Sequence, residues 1–430
     1  LLVVVFNSLY AQNSSVAMQI KADKYYSTLN YAKAIPFYEV LAKQPQPEPT
    51  ILIKLAHCYR MVNNNEKALS NYQKLLMTTS NVNPIYKYYY AKALMSKGDY
   101  KNALDMFKKY IDIDQRNENF AKFISNIQMY YIDSSKYKIT KTTFNSSYND
   151  FSPFILENDK IVFVSSRPTA KLVNYIHGWT NKQYLRIFYT EKNKKGNYKK
   201  PKLFSNKIQN RFNNGPFTFS ADLSKIIYTK NNMLYNKPIR SGSGEVKLQL
   251  YQSNYDPTKN KYLDLLIFEY GNNNYNFAHP SLSQDGKLLF FSSDKPGGYG
   301  GMDIWVSTRQ NDKWTEPVNL GPRVNTPGNE VFPYIFNNEK LYFSSDGIGG
   351  LGGLDVFEVF VNSSGMPMGV PKNMGANFNS PADDFGVFFR KDGKTGFLSS
   401  NREKQGLNDD IYEFEIREPV RNKVIIKGIT

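Results

Sequence analysis

Two spacings of apolar positions divide the chain. Over residues 13–132 they recur with a helical period, and from residue 136 they fall in short runs punctuated by Gly, Asp and Asn. The strand-type part repeats one sentence. Pro280 to Trp305 reads as a strand, an Asp285-Gly286 turn, the run Leu288-Leu289-Phe290-Phe291-Ser292-Ser293, a glycine cluster Gly297-Gly298-Tyr299-Gly300-Gly301, and then Met302-Asp303-Ile304-Trp305. Pro333 to Phe357 says the same with Leu341-Tyr342-Phe343-Ser344-Ser345, Gly349-Gly350-Leu351-Gly352-Gly353 and Leu354-Asp355-Val356-Phe357. A third copy runs from Asp384-Phe385 through Asp392-Gly393 and Phe397-Leu398-Ser399-Ser400 to Asp410-Ile411-Tyr412. Looser copies without the glycine cluster begin at Ser152-Pro153-Phe154 and Gly215-Pro216-Phe217.

Asp303, Asp355 and Asp410 mark a period of about 50–55 residues, the length of a propeller blade. Units of this size cannot each bury a face alone, so they predict a β-propeller of five blades, with six as the alternative. Each unit needs an outer strand. Candidates are Lys202–Phe204, Leu263–Phe268, Pro317–Leu320 and Pro371–Met374, and Tyr137–Phe144, ahead of the first unit, is expected to complete the last. That arrangement leaves no open sheet edge.

In the helical part, Asn30-Tyr31-Ala32-Lys33-Ala34-Ile35-Pro36-Phe37-Tyr38 returns twice, around Ala68 and around Ala103. These alanines lie 34 and 35 residues apart, the tetratricopeptide spacing, and a small residue is needed where paired helices approach closely. Three such repeats and a closing helix over 117–131 predict a short solenoid with a concave, partner-holding face. Pro36 is expected in the first turn of its helix, where proline is tolerated. The short link at 133–136 predicts that the solenoid sits against the propeller. The fold class is therefore α + β, multidomain, divided as 1–12, 13–135, 136–419 and 420–430.

Composition narrows the chemistry. One cysteine, Cys58 in an apolar helical context, excludes an internal disulfide framework and reads as a buried small hydrophobe. Histidines only at 57, 177 and 279 build no zinc site, and His279 is expected at a blade edge. No nucleophile elbow or phosphate-cradling loop occurs. Neighbours on a strand point to opposite faces, so Asp383-Asp384 and Asp409-Asp410 do not present paired carboxylates to one substrate. Gly349 to Asp355 has the flavour of a calcium-binding nonapeptide but carries an extra residue before its Asp. A tight loop whose Asp accepts backbone N–H bonds fits better. The reading is non-enzymatic, with no cofactor, metal or catalytic residue.

Formal charge of +17 is unevenly spread. Residues 136–270 hold 23 basic against 9 acidic residues, and residues 271–430 hold 16 against 19. A solvated surface is the plainest account, an anionic lipid, glycan or acidic partner the alternative, and no nucleic-acid recognition motif accompanies the charge.

Leu1–Phe6 followed by Asn7–Gln12 resembles the apolar region and cleavage site of a secretory signal peptide, too short to span a bilayer. Val424–Thr430 reads as the first strand of a further β-rich domain. The Asp-Gly-Lys-Leu-x-Phe-x-Ser-Ser core and Gly-Gly-x-Asp-Ile/Val ending resemble WD-like repeats of the TolB type. With the front repeats and the Ala11-Gln12 ending, the chain resembles the PorE-like, OmpA-family periplasmic proteins of Bacteroidota, which are associated with type IX secretion. The resemblance implies a periplasmic scaffold at the outer membrane, partnered by a PorP/SprF-type β-barrel or other secretion-system proteins. It also implies a carboxypeptidase-regulatory-like β-sandwich beginning at 420–430 and an OmpA-like, peptidoglycan-binding domain beyond it. The alternative is a propeller module that binds a glycan or peptide at the cell envelope.

Overall fold

The computed structural model describes residues 2–79, 81–111, 118–169, 176–205, 208–209, 212–234, 237–259, 261–403 and 406–417. The expected β-sandwich start at 420–430 lies outside them. Helices α1 (Leu2–Ser27), α2 (Tyr31–Ala42), α3 (Pro49–Met61), α4 (Asn65–Thr78), α5 (Ile85–Met95), α6 (Tyr100–Ile111) and α7 (Glu118–Ser125) each pack on the next in sequence. The leader-like residues from Leu2 onward are the first turns of α1. Among the described residues no helix is long and apolar enough to cross a membrane.

Ala34, Ala68 and Ala103 occupy matching places in α2, α4 and α6, and all three are buried. One turn on, Tyr38, Tyr72 and Phe107 are among the largest fully buried side chains. Positions four apart share a helix face, so each small residue admits the neighbouring helix and each ring fills the space beside it. Cys58 is buried in the same core, and burial pushes its thiol up to about 12. Pro36 corrects the expectation. The helix begins at Tyr31, with Asn30 at the N-cap position, so the proline lies inside it rather than in the first turn. The start is held early because Ala32 donates its N–H to Trp179 O and Ala34 to Asn30 O.

The strands build five blades. Strand β1 (Tyr137–Lys141) comes first in the chain. Blade 1 holds β2 (Asp150–Ile155), β3 (Ile161–Ser165), β4 (Arg186–Thr190) and β5 (Lys202–Leu203). Blade 2 holds β6 (Asn214–Phe219) and β7 (Lys225–Asn231), then, past the small hairpin β8 (Met233–Leu234) and β9 (Lys237–Pro238), β10 (Leu248–Asp256) and β11 (Lys261–Ile267). Blade 3 holds β12 (Phe277–Leu282), β13 (Leu288–Ser293), β14 (Asp303–Gln310), β15 (Lys313–Trp314) and β16 (Val318–Asn319). Blade 4 holds β17 (Glu330–Phe336), β18 (Lys340–Ser345), β19 (Asp355–Val361) and β20 (Pro367–Asn373). Blade 5 holds β21 (Asp384–Phe389), β22 (Thr395–Ser400) and β23 (Asp410–Ile416), and β1 is its outer strand, in register from Tyr137↔Ile416 to Lys141↔Tyr412. The inner strands β2, β6, β12, β17 and β21 each touch the next, and β21 returns to β2. The ring is closed with five blades.

Alternation explains why the second strands look apolar throughout. Leu288 and Phe290 face blade 4, while Leu289 and Phe291 face blade 2. Val162 and Val164 face blade 2, and Ile161 and Phe163 face blade 5. Both faces of every blade are buried, so the period-2 signal is apolar on both phases.

Candidate functional site: the loop face and the channel

Every inner strand bulges at the same place. The left-handed residues are Ser152, Gly215, His279, Phe332 and Gly386, with φ of 50°, 98°, 54°, 51° and 56°, each at a register shift of its strand. A bulge bends the strand and re-aims its side chains. At Gly215 the conformation is also a space requirement, since a Cβ there would lie 2.5 Å from Val164 Cγ2. The five bulges line a central cavity of about 50 Å³. His279 therefore lies in the channel and not at a blade edge. Its ring stacks on Phe332 with centroids 3.9 Å apart, and burial pulls its pKa down to about 3. Its Nδ1 and Ser152 Oγ are buried without a hydrogen-bond partner. A cavity of this size holds a few waters. No carboxylate lines it.

At the opening of the third strands stand Asp303, Asp355 and Asp410, all buried. The first two organise the glycine clusters. Asp303 Oδ2 accepts the Tyr299 N–H at 2.6 Å, and Asp355 accepts the Leu351 N–H at 3.1 Å and the Gly352 N–H at 3.2 Å. Glycine is required because a Cβ on Gly298 or Gly350 would sit 2.4 or 2.0 Å from those carboxylates. Asp410 does another job in blade 5, where no glycine cluster exists. It pairs at 2.9 Å with Lys141 of β1, the strand that closes the ring.

Side chains not singled out in the sequence hold the third strands. Asn325 bonds both the N–H and C=O of Ile304, and Asn379 does so to Val356. Asn145 does the same to Ile411, and Gln209 to Ile187. Each amide completes a ladder where the short outer strand stops. The sequence signal was the recurrence of Asn319/Asn325 and Asn373/Asn379 at one spacing.

The helical array docks on this loop face. Lys92 of α5 reaches into the blade 4 glycine loop, donating to Gly352 O at 2.9 Å, Asp346 O at 3.3 Å and Gly353 O at 3.5 Å, with the Phe120 ring 4.4 Å away. Burial holds its ammonium below the ordinary lysine range, against the pull of Asp346, Asp355 and Asp383. Burial in turn raises the carboxyls of Asp355 and Asp383. Around the lysine, Leu351 joins the helical core with Ala91, Leu94 and Met95. The seam continues at Ala376 N–H to Tyr130 O, 2.8 Å, and Trp179 Nε1 to Met61 O, 2.6 Å. Helices and propeller thus share one buried interface over blades 4, 5 and 1.

No protein-family model matches the chain, and no curated protein matches it. Among solved structures it is similar to TolB from Acinetobacter baumannii, at 14% identity over 50% of this chain and 43% of that one, with a TM-score of 0.30. A protein of unknown function from Dyadobacter fermentans gives 12% identity over 62% of this chain and 75% of that one, TM-score 0.35. An alpha-L-arabinofuranosidase from Lactobacillus brevis gives 11% over 66% and 94%, TM-score 0.41. The match spans less than half of the TolB chain. By its architecture the chain is a five-bladed β-propeller with an array of helices seated on its loop face.

Proposed function

We propose that this chain is a non-enzymatic scaffold of the cell envelope, its helices a tetratricopeptide-type array. Its setting is the periplasmic side of an outer-membrane secretion assembly of the type IX or gliding kind, with a PorP/SprF-type barrel as partner. The observation that carries the reading is the Lys92 seam. A buried, charge-bearing contact fixes the helical array relative to the propeller, so the two present their outer surfaces as one body. A channel walled by stacked rings, without a carboxylate, supports binding over turnover. Affinity capture of the tagged full chain from native membranes recovers an outer-membrane barrel in stoichiometric amount. Recovery of soluble proteins alone overturns the proposal.

One observation favours a second reading, ligand capture in the channel. His279 Nδ1 and Ser152 Oγ are buried polar atoms with no partner, facing a shared cavity. Calorimetry with oligosaccharides and short peptides distinguishes the two, and saturable heat lost in His279→Ala would favour the second.

A further inference from the structure

The blade 4 loop that receives Lys92 has a twin in blade 3. A Cβ on Gly300 would strike Thr326 O and Pro327, and one on Gly352 would strike Pro381. On Gly301 it would meet Asn329 Oδ1, and on Gly353 Asp383 Oδ1. Met302 N–H goes to Asn329 as Leu354 N–H goes to Asp383, at 3.1 and 2.9 Å. The two loops therefore share one conformation, and Asp294, Asp303 and Asn329 stand where blade 4 has Asp346, Asp355 and Asp383.

Their surroundings differ. Gly349 to Gly352 are buried under α5, whereas Gly297 to Gly301 are all exposed. Tyr299, in the place of Leu351, is 48% exposed against 1%. Asp303 is 1% exposed, yet its Oδ1 has no hydrogen-bond partner, Asn319 Nδ2 and the Tyr299 N–H both going to Oδ2.

We propose that the blade 3 glycine loop is a docking site for a lysine-bearing helix of another protein, bound as α5 is bound to blade 4. The ammonium would take the loop carbonyls and the open oxygen of Asp303, and apolar neighbours on the helix would cover Tyr299. A second copy of this chain is a poorer occupant, because its own Lys92 is already engaged within its own fold. The site takes its biological setting from the scaffold reading but is tested without membranes.

The probe is a fluorescein-labelled, hydrocarbon-stapled helix with the sequence of residues 84–97, titrated into the purified full chain by fluorescence anisotropy. A matched peptide carries norleucine for Lys92. Saturable binding is expected, weakened at least tenfold by norleucine and at least fivefold by Tyr299→Ala in the protein, with Asp303→Asn as the second variant. Tyr299 is a surface residue, so its variant keeps the fold. Absence of saturable binding, or equal binding of the norleucine peptide, overturns the proposal. Binding that survives Tyr299→Ala does so as well, since it means displacement of α5 at blade 4. Two further outcomes also overturn it. A dimer lost in Tyr299→Ala, seen by sedimentation, makes the occupant a second copy, and competition by calcium makes the loop a metal site. Failure of this assay leaves the envelope reading to the membrane capture.

Discussion

Gly297–Gly301 in blade 3 and Gly349–Gly353 in blade 4 fold alike around Asp303 and Asp355. Above one lie Lys92 and the core of α5 and α7; above the other lies solvent. Within the five residues the only difference is Tyr299 for Leu351; around them Lys295 stands for Gly347, Pro296 for Ile348, Met302 for Leu354 and Asn329 for Asp383. A repeat fixes its own backbone, and its neighbours decide whether that backbone becomes a seam or a surface. Removing the lysine is the strongest way to break the comparison. Lys92→Met leaves the buried carbonyls of Asp346, Gly352 and Gly353 without their charged donor, and a buried acceptor stripped of its partner costs about 1–3 kcal/mol each. Lys295→Met in blade 3, whose ammonium lies over Trp305 at 4.1 Å, shifts stability by about 0.5 kcal/mol or less. Urea denaturation of both variants measures the gap, and equal midpoints would mean the seam does not depend on the charge.

Leu351→Ala comes next. It empties a site packed among Ala91, Leu94, Met95 and Phe120, and a buried Leu→Ala costs about 2–5 kcal/mol. Because those neighbours belong to the helical array, the variant also exposes the seam, so protease cleavage between α6 and β1 should rise with the loss in stability. Lost stability with unchanged cleavage would place the damage inside blade 4 alone.

A third test uses the acidic residue that opens three of the inner strands. Asp150 in blade 1 and Asp384 in blade 5 are buried against Arg167 and Arg402, at 2.6 and 2.5 Å. Glu330 in blade 4 has the same hydroxyl and N–H donors, Thr326 and Ser345, but the arginine position is Gly347. A side chain cannot enter there, since a Cβ would lie 1.9 Å from Thr326 Oγ1. Burial accordingly pushes Glu330 up to about 8. Its folded pKa exceeds the unfolded one, near 4.3, so between these values the native state holds a proton that the unfolded chain has lost. Its contribution is whole below the unfolded pKa and declines as pH rises towards 8, by at most about 1.4 kcal/mol per pH unit. Glu330→Gln flattens that decline in urea midpoints taken from pH 5 to 8. A slope unchanged in the variant would assign it to other groups such as Asp355 and Asp409, which burial also pushes up to about 7.

How much of this could be read beforehand follows from how local each cause is. Blade units, their strand order and the closing strand come from period-2 runs and turn residues, which act over a few positions, so Tyr137–Lys141 could be placed in the last blade from the sequence. The recurrence of Ala34, Ala68 and Ala103 was legible as a spacing of 34 and 35 residues. Lys92 was not, because its partners lie more than 250 residues away and nothing near it distinguishes it from a solvated lysine. His279 was misplaced because a strand beginning x-Pro looks like an edge, where proline is tolerated. The bulge turns that residue inward instead. Pro36 was misjudged because the helix is started by Trp179 O, a contact from the propeller that the helical sequence does not contain.

The smallest expected effect is at Tyr299 itself. Its ring joins none of the buried clusters and is about half exposed, and its backbone, which supplies the N–H to Asp303, survives truncation. Tyr299→Ala should change the urea midpoint by about 0.5 kcal/mol or less, the range of ordinary surface substitutions. The matching change one blade on costs several times more, although the two residues sit on the same backbone. If instead Tyr299→Ala costs as much as Leu351→Ala, the ring is structural. Its exposure would then be a side of the fold's own packing, and the blade 3 loop would owe its form to that ring rather than to Asp303 and the glycines.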